Sequence, residues 1–304
     1  MHHLNLDRIG LIGYGEVGRI FAEGLMPLPG VMGVGAWDLL FADTDTDTEA
    51  GAGARGHAAQ RGVRACVSAA DLCQQSGLVI SAVTASNTLA VAREAAQHLA
   101  VGSVFLDFNS ASPGTKQQAA ALVEASGGHY VEAGVMTSVP PYGIRVPMLL
   151  GGEMAEALAQ RLQAWGLDAR AVSTQIGIAS AIKMSRSVMI KGLEALVIES
   201  YATARHYGVE DHVLPTLVET FPSIDWDKQG AYFFSRVVQH GKRRAEEMRE
   251  AANTVRDAGF EPWLTSAIAQ KQDWVAHCAR EGRFEGLAKD APWQAYADRL
   301  LTKK

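Results

Sequence analysis

The 304-residue chain has little cysteine, and what it has is scattered. Cys66, Cys73 and Cys278 form no pair at zinc-ribbon spacing, and their odd number argues against a disulfide framework. A basic surplus is missing too: the formal net charge is -5, so no nucleic-acid partner is expected. No apolar run approaches the roughly 20 residues that a bilayer-spanning helix needs. Met1–Leu6 lacks the apolar core of a signal peptide, so a reducing, cytoplasmic setting without a membrane partner is expected. The nine histidines show no metal-ligand spacing. The alternating aspartates at 43–49 suggest a calcium loop, which needs glycine at its sixth place and glutamate at its twelfth. Thr48 and Ala54 stand there instead, so a solvated acidic loop is expected and no metal site.

What is present is a globular composition, 48% hydrophobic and 20% charged, enough for one large domain or two ordinary ones. In the first half, short apolar runs alternate with helical stretches. Arg8–Ile12, Val31–Trp37, Leu78–Val83, Ser103–Asp107 and Tyr130–Val135 read as strands, and Arg145–Leu150 as one more. Glu16–Leu25, Asn87–Leu99, Thr115–Ala125 and Met154–Trp165 read as helices. Such alternation implies a parallel sheet covered on both faces. After Gly177 the pattern is helical. Ser180–Tyr207 has no proline and a single glycine, Gly192, and is apolar on more than one side, which predicts a long buried helix. Shorter helices are expected beyond it, broken near Gly208, Pro215, Pro222, Gly259 and Pro262. The domain division is expected near Val172, giving residues 1–172 and 173–304.

The sequence Ile9-Gly10-Leu11-Ile12-Gly13-Tyr14-Gly15-Glu16-Val17-Gly18 ends a strand and opens a helix. In a dinucleotide site Gly13 permits the tight turn, Gly15 lets the backbone approach the pyrophosphate, and Gly18 lets helix and strand pack closely. The helix start offers free N–H groups and a positive dipole end to phosphates. The bland alternative is a purely structural turn. Asp38 ends the second strand, where a carboxylate accepts hydrogen bonds from ribose hydroxyls and repels a 2′-phosphate. Leu39 and Leu40 follow, with no arginine, so NAD is favoured over NADP. Asp38 equally suits a cap on the next segment. Val83 and Thr84 after the fourth strand, and Asn109 after the fifth, are further cofactor candidates, at the edge where such sheets bind ligands.

Lys183 sits near the start of the long helix in apolar company. Burial and a positive helix end both disfavour its ammonium form, and such a lysine can exchange a proton with a substrate hydroxyl during hydride transfer. The alternative is a lysine that reaches out to the surface. Arg186 and Ser187 lie three and four residues on, on the same helix face, and Glu194 continues the stripe.

These motifs resemble the β-hydroxyacid dehydrogenase family, which includes 3-hydroxyisobutyrate, tartronate-semialdehyde and 6-phosphogluconate dehydrogenases. The resemblance rests on the glycine turn, the Gly-x-x-x-x-x-Lys segment ending at Lys183, and Glu132-Ala133-Gly134-Val135-Met136-Thr137-Ser138. It is closest to a subgroup that joins a 6-phosphogluconate-dehydrogenase-type NAD-binding domain to a C-terminal domain of unknown function. The resemblance implies a Rossmann-type, doubly wound α/β sheet followed by an all-α domain joined by the long helix. It implies Lys183 as the catalytic lysine. Where the family reads Ser-Gly-Gly and binds the substrate carboxylate, this chain has Met136, Thr137 and Ser138. Where the family reads Lys-x-x-Asn-Asn, Arg186 and Ser187 replace both asparagines. Arg186 suits either a substrate carboxylate or a structural ion pair.

The expected activity is therefore hydride transfer between nicotinamide and a small acidic substrate, a hydroxyacid or its ketone or semialdehyde. An imine reductase of the same fold and a non-catalytic NAD-binding protein are the rivals. His240-Gly241-Lys242-Arg243-Arg244 is read as a surface run paired with Glu246 and Glu247, or as part of an anionic-substrate pocket. Tyr232, Phe233 and Phe234 are read as core or dimer contacts, and Trp226, Trp263 and Trp274 as interface candidates. A homodimer is expected, because the long helix carries more apolar surface than one small helical domain can bury.

Overall fold

The computed structural model describes residues 6–42 and 49–302. Most of the acidic stretch at 43–49 lies outside them, as does most of the N-terminal segment. The chain forms two compact units, Met1–Met184 and Ser185–Lys304.

The first unit is built on one eight-stranded sheet in the order β3-β2-β1-β4-β5-β6-β7-β8. β1 (Arg8–Ile12), β2 (Gly33–Trp37), β4 (Leu78–Ser81), β5 (Val104–Asp107) and β6 (His129–Val135) match expected strands to within a few residues. β4 and β5 are buried at every position, as befits strands covered on both faces. Between the strands run α1 (Glu16–Leu25), α4 (Thr88–Ala96), α5 (Pro113–Ala125) and α6 (Ala155–Ala164). The sheet reverses its strand order between β1 and β4, the switch point of a doubly wound sheet.

Four elements were not expected from the sequence. β3 (Arg64–Ala65) has two residues and α3 (Ala69–Gln74) six, too short for periodicity to show. In α2 (Glu49–Gln60) alanines and three glycines blur the apolar stripe. β8 (Ala169–Ser173) is an edge strand with alternate burial. The sheet is also not wholly parallel. β7 (Met148–Gly151) runs antiparallel to β6 and parallel to β8, so β7 and β8 extend the sheet beyond its parallel part. The division expected near Val172 falls inside β8. The compact units part within the long helix, because the first turns of that helix are bonded to β6, as described below.

The second unit is helical. α7 (Ile178–Tyr207) starts in the first unit and runs into the second. α8 (Glu210–Thr220), α9 (Trp226–Asp257), α10 (Trp263–Arg280) and α11 (Trp293–Leu301) follow. Two expectations need correction. Pro215 lies inside α8 and does not end it. The carbonyl it leaves unbonded belongs to Asp211, which is exposed to water. And α9, with 32 residues, is longer than α7, with 30. Its glycines are contact points. A Cβ on Gly230 would stand 2.6 Å from the Tyr201 ring, and one on Gly241 2.7 Å from the Gln272 carbonyl oxygen. Tyr201, Phe233, Phe234, Val237, Trp293 and Tyr296 form this unit's core, while Tyr232 is exposed. Trp226 is buried, and Trp263 and Trp274 face solvent.

The basic run on α9 is only partly a surface feature. Arg243 pairs with Glu247 at 3.9 Å within the helix. Arg244 is buried and pairs with Glu194 of α7, while Lys191 pairs with Glu247. The expected pairing of the whole run with its neighbouring glutamates therefore fails at Arg244, whose position on α9 points it into the unit.

Candidate active site

Because β2, β1, β4, β5 and β6 are parallel neighbours, the segments after them line one edge of the sheet. Along that edge come Asp38, the glycine turn, Val83, Asn109 and the segment Met136–Ser138. Residues distant in sequence thus stand side by side.

At the glycine turn, Gly13 has φ +97°, open to glycine at little cost, and its N–H donates to the Trp37 carbonyl at 2.8 Å. A Cβ on Gly18 would collide with the Gly13 carbonyl oxygen, so strand and helix pack as the motif requires. A Cβ on Gly15 would meet nothing within 4 Å, and no side chain caps the start of α1. These features fit a nucleotide pyrophosphate: an exposed backbone with uncapped amides at a positive helix end. Glu16 is exposed and Val17 half-buried at the same place.

Tyr14 does not turn its ring outward. The ring is buried, and its hydroxyl lies 3.2 Å from His57 Nδ1. Burial pushes its phenol pKa up. The Tyr14 N–H donates to Asp38 Oδ2 at 2.7 Å, and the Leu40 N–H donates to Oδ1 at 3.0 Å. The capping role weighed for Asp38 is therefore real. Each carboxylate oxygen still has a lone pair, so the cap and a ribose hydroxyl are compatible.

Asn109 is buried and ties two strand ends together. Its Oδ1 accepts from the Val83 N–H at 2.8 Å, and its Nδ2 donates to Ser81 Oγ at 2.9 Å. Thr84 is exposed and bonded to Ser86 and Asn87.

Lys183 is half-buried, on the face of α7 that meets β6. A Cβ on Gly134 would lie 3.6 Å from Lys183 Cβ and 3.0 Å from the Ala179 carbonyl oxygen. Glycine at 134 thus brings the lysine against β6, just before Met136, Thr137 and Ser138. Thr137 is exposed, and Met136 and Ser138 are half-buried.

What holds this contact is a residue whose part no motif in the sequence reveals. Glu132, on β6, is fully buried, and its carboxylate accepts from four donors at the start of α7. Oε1 accepts from the N–H groups of Gly177 at 2.7 Å and Ala179 at 3.0 Å. Oε2 accepts from the Ser180 N–H at 3.2 Å and from Ser180 Oγ. An anion at a helix N-terminus is favoured by the dipole and satisfies the orphan amides. The signal was available: an acidic residue in a buried strand needs a partner.

Arg186 and Ser187 fall in the second unit. Arg186 is exposed. Ser187 is buried, and its hydroxyl accepts from Lys191 Nζ at 3.4 Å. Among the described residues no group of three or more His, Cys, Asp or Glu side chains is arranged to hold a metal. No helix among them is long and apolar enough to cross a membrane.

Residues 8–156 match the model of the NAD binding domain of 6-phosphogluconate dehydrogenase, and residues 204–275 match domain of unknown function DUF1932. A conserved hypothetical protein from Sinorhizobium meliloti 1021 is 36% identical, with 99% of this chain and 98% of that one covered and a TM-score of 0.75. A conserved protein of unknown function, described as structurally similar to 3-hydroxyacid dehydrogenases, is 30% identical, with 90% and 98% covered and a TM-score of 0.66. The fold alone is shared with Mycobacterium tuberculosis 3-hydroxyisobutyrate dehydrogenase bound to L-serine, at 15% identity, 98% and 100% coverage and a TM-score of 0.68.

Proposed function

Since the chain belongs to the β-hydroxyacid dehydrogenase family, in the subgroup that joins an NAD-binding domain to a C-terminal domain of unknown function, we propose that it is an NAD-dependent oxidoreductase of small hydroxyacids or their ketones or semialdehydes. When bound, the cofactor supplies the hydride acceptor or donor. The amides of the Gly13–Gly18 turn hold its pyrophosphate, and Asp38 accepts from the ribose hydroxyls. That carboxylate stands where a 2′-phosphate would be repelled, which supports NAD over NADP.

Lys183 takes the proton from the substrate hydroxyl during oxidation and returns it during reduction. Thr137 and Ser138 give hydroxyl donors to the acid end of the substrate, in place of the family's serine and glycines. Met136 lines the same segment. Arg186, exposed on α7 in the second unit, keeps a fork of donors suited to a carboxylate, whereas Ser187 is buried there beside Lys191.

One observation carries this reading: the contact of Lys183 with Gly134, which sets a lysine beside the strand that leads into Met136–Ser138, on the edge that also holds the glycine turn. The test is a screen of β-hydroxyacids with NAD and NADP, reading absorbance of the reduced nicotinamide. Turnover with NAD supports the reading. Tight NAD binding with no turnover across the panel contradicts it and favours a non-catalytic role.

The helical unit is further proposed to pair with a second copy. Met189 and Leu196 on α7, and Trp263 and Leu264 on α10, are largely exposed apolar side chains. A sedimentation mass of one chain at all concentrations would contradict the pairing.

A further inference from the structure

Lys116, in the early turns of α5, is a cation with no exposure, and neither hydride transfer nor substrate binding as proposed above uses it. Its Nζ lies 3.0 Å from Asp107 Oδ1 and donates to the Asp107 carbonyl oxygen at 3.0 Å. Asp107 is the last residue of β5 and is equally buried. Its Oδ2 accepts from the Tyr130 hydroxyl at 2.6 Å. Its Oδ1 also accepts from the Asn109 N–H at 2.8 Å. Asn109 in turn holds the Val83 N–H and Ser81 Oγ at the end of β4. An unbroken chain of polar contacts thus runs from Lys116 to the β4–β5 edge of the sheet.

Stability alone is a poor reason for this arrangement. Desolvating a lysine and an aspartate is costly, and apolar residues of similar volume often hold a core as well or better. What a buried polar network adds is a fixed geometry. The geometry fixed here is that of Asn109 and Val83. In a doubly wound sheet the two mononucleotide halves lie on either side of the switch point. The glycine turn on β1 and Asp38 after β2 belong to the adenosine side. The edge formed by β4 and β5 faces the other half.

We propose that Lys116 is a positioning residue for the nicotinamide half of the cofactor: through Asp107 it fixes Asn109, and with it the backbone at Val83. This rests on the NAD reading given above, and the test separates the two. Affinities for NAD+ and for ADP-ribose, which lacks the nicotinamide, are measured by calorimetry on the full chain, for the wild type, Lys116→Met and Tyr130→Phe. The wild type is expected to bind both ligands. Lys116→Met is expected to lose about tenfold or more in NAD+ affinity while ADP-ribose affinity changes less than about twofold. A general loss of structure would weaken both ligands alike, and that outcome overturns the proposal, as does unchanged NAD+ affinity. If Lys116→Met does not fold, Tyr130→Phe decides, since it removes only one donor to Asp107. It is expected to show a smaller loss confined to NAD+, and equal loss for both ligands or none contradicts the proposal. A wild type that binds neither ligand contradicts the cofactor reading instead.

Discussion

Gly134 and Lys183 meet where β6 crosses the start of α7, and a side chain at position 134 would press on the helix: a Cβ there would lie a tight 3.0 Å from the Ala179 carbonyl oxygen and 3.6 Å from Lys183 Cβ. The Ala179 oxygen is backbone and cannot swing aside. Gly134→Val therefore has to push α7 off the strand, at a cost of about 1–3 kcal/mol. The expected outcome is a fall in turnover larger than any change in NAD affinity. Kinetics and calorimetry on the same preparation check it.

Glu132 is expected to be the residue on which the start of α7 depends. Glu132→Ala strips four donors of their acceptor in a buried place. Losing such a partner costs about 3 kcal/mol or more. A urea midpoint unchanged by the substitution would contradict the role.

Asp38 has two tasks, so its replacement has two effects. Asp38→Asn keeps an oxygen to accept from Tyr14 or Leu40 but removes the charge that repels a 2′-phosphate. NAD affinity is expected to fall about tenfold, with the preference for NAD over NADP shrinking or reversing. Affinities for both cofactors measured side by side check this.

The thiols give a prediction in pH. Burial pushes Cys73 from 9.0 up to about 12, and Cys66 up to about 11. The fold thus favours the neutral thiol. That preference is fully present below the unfolded thiol value and is lost as pH rises from there toward the folded values. Stability is expected to decline above about pH 9, and the decline to be shallower in Cys73→Ala. Urea midpoints across that range for both proteins check it. The same burial predicts that a thiol reagent at neutral pH labels the native chain slowly and the unfolded chain at once.

Most of the sheet and the glycine turn were legible because both depend on local pattern: continuous apolar runs, and glycines at fixed offsets. Lys183 stands out in the sequence through its place in a motif, and its role is the proposal tested below. The pieces that were not legible are those with no local signature. β3, α3 and β8 exist because neighbours pair with them or cover them. The roles of Glu132 and Lys116 appear only when β6 lies beside α7 and β5 beside α5. Arg244 looked like part of a surface run, because a basic cluster gives no hint that one member faces Glu194 on another helix.

The central claim is that Lys183 moves the substrate proton. On a hydroxyacid found by the screen, Lys183→Ala is expected to bind NAD as the wild type does and to lose turnover by about 100-fold or more. Turnover equal to that of the wild type, at the same cofactor affinity, would contradict the account.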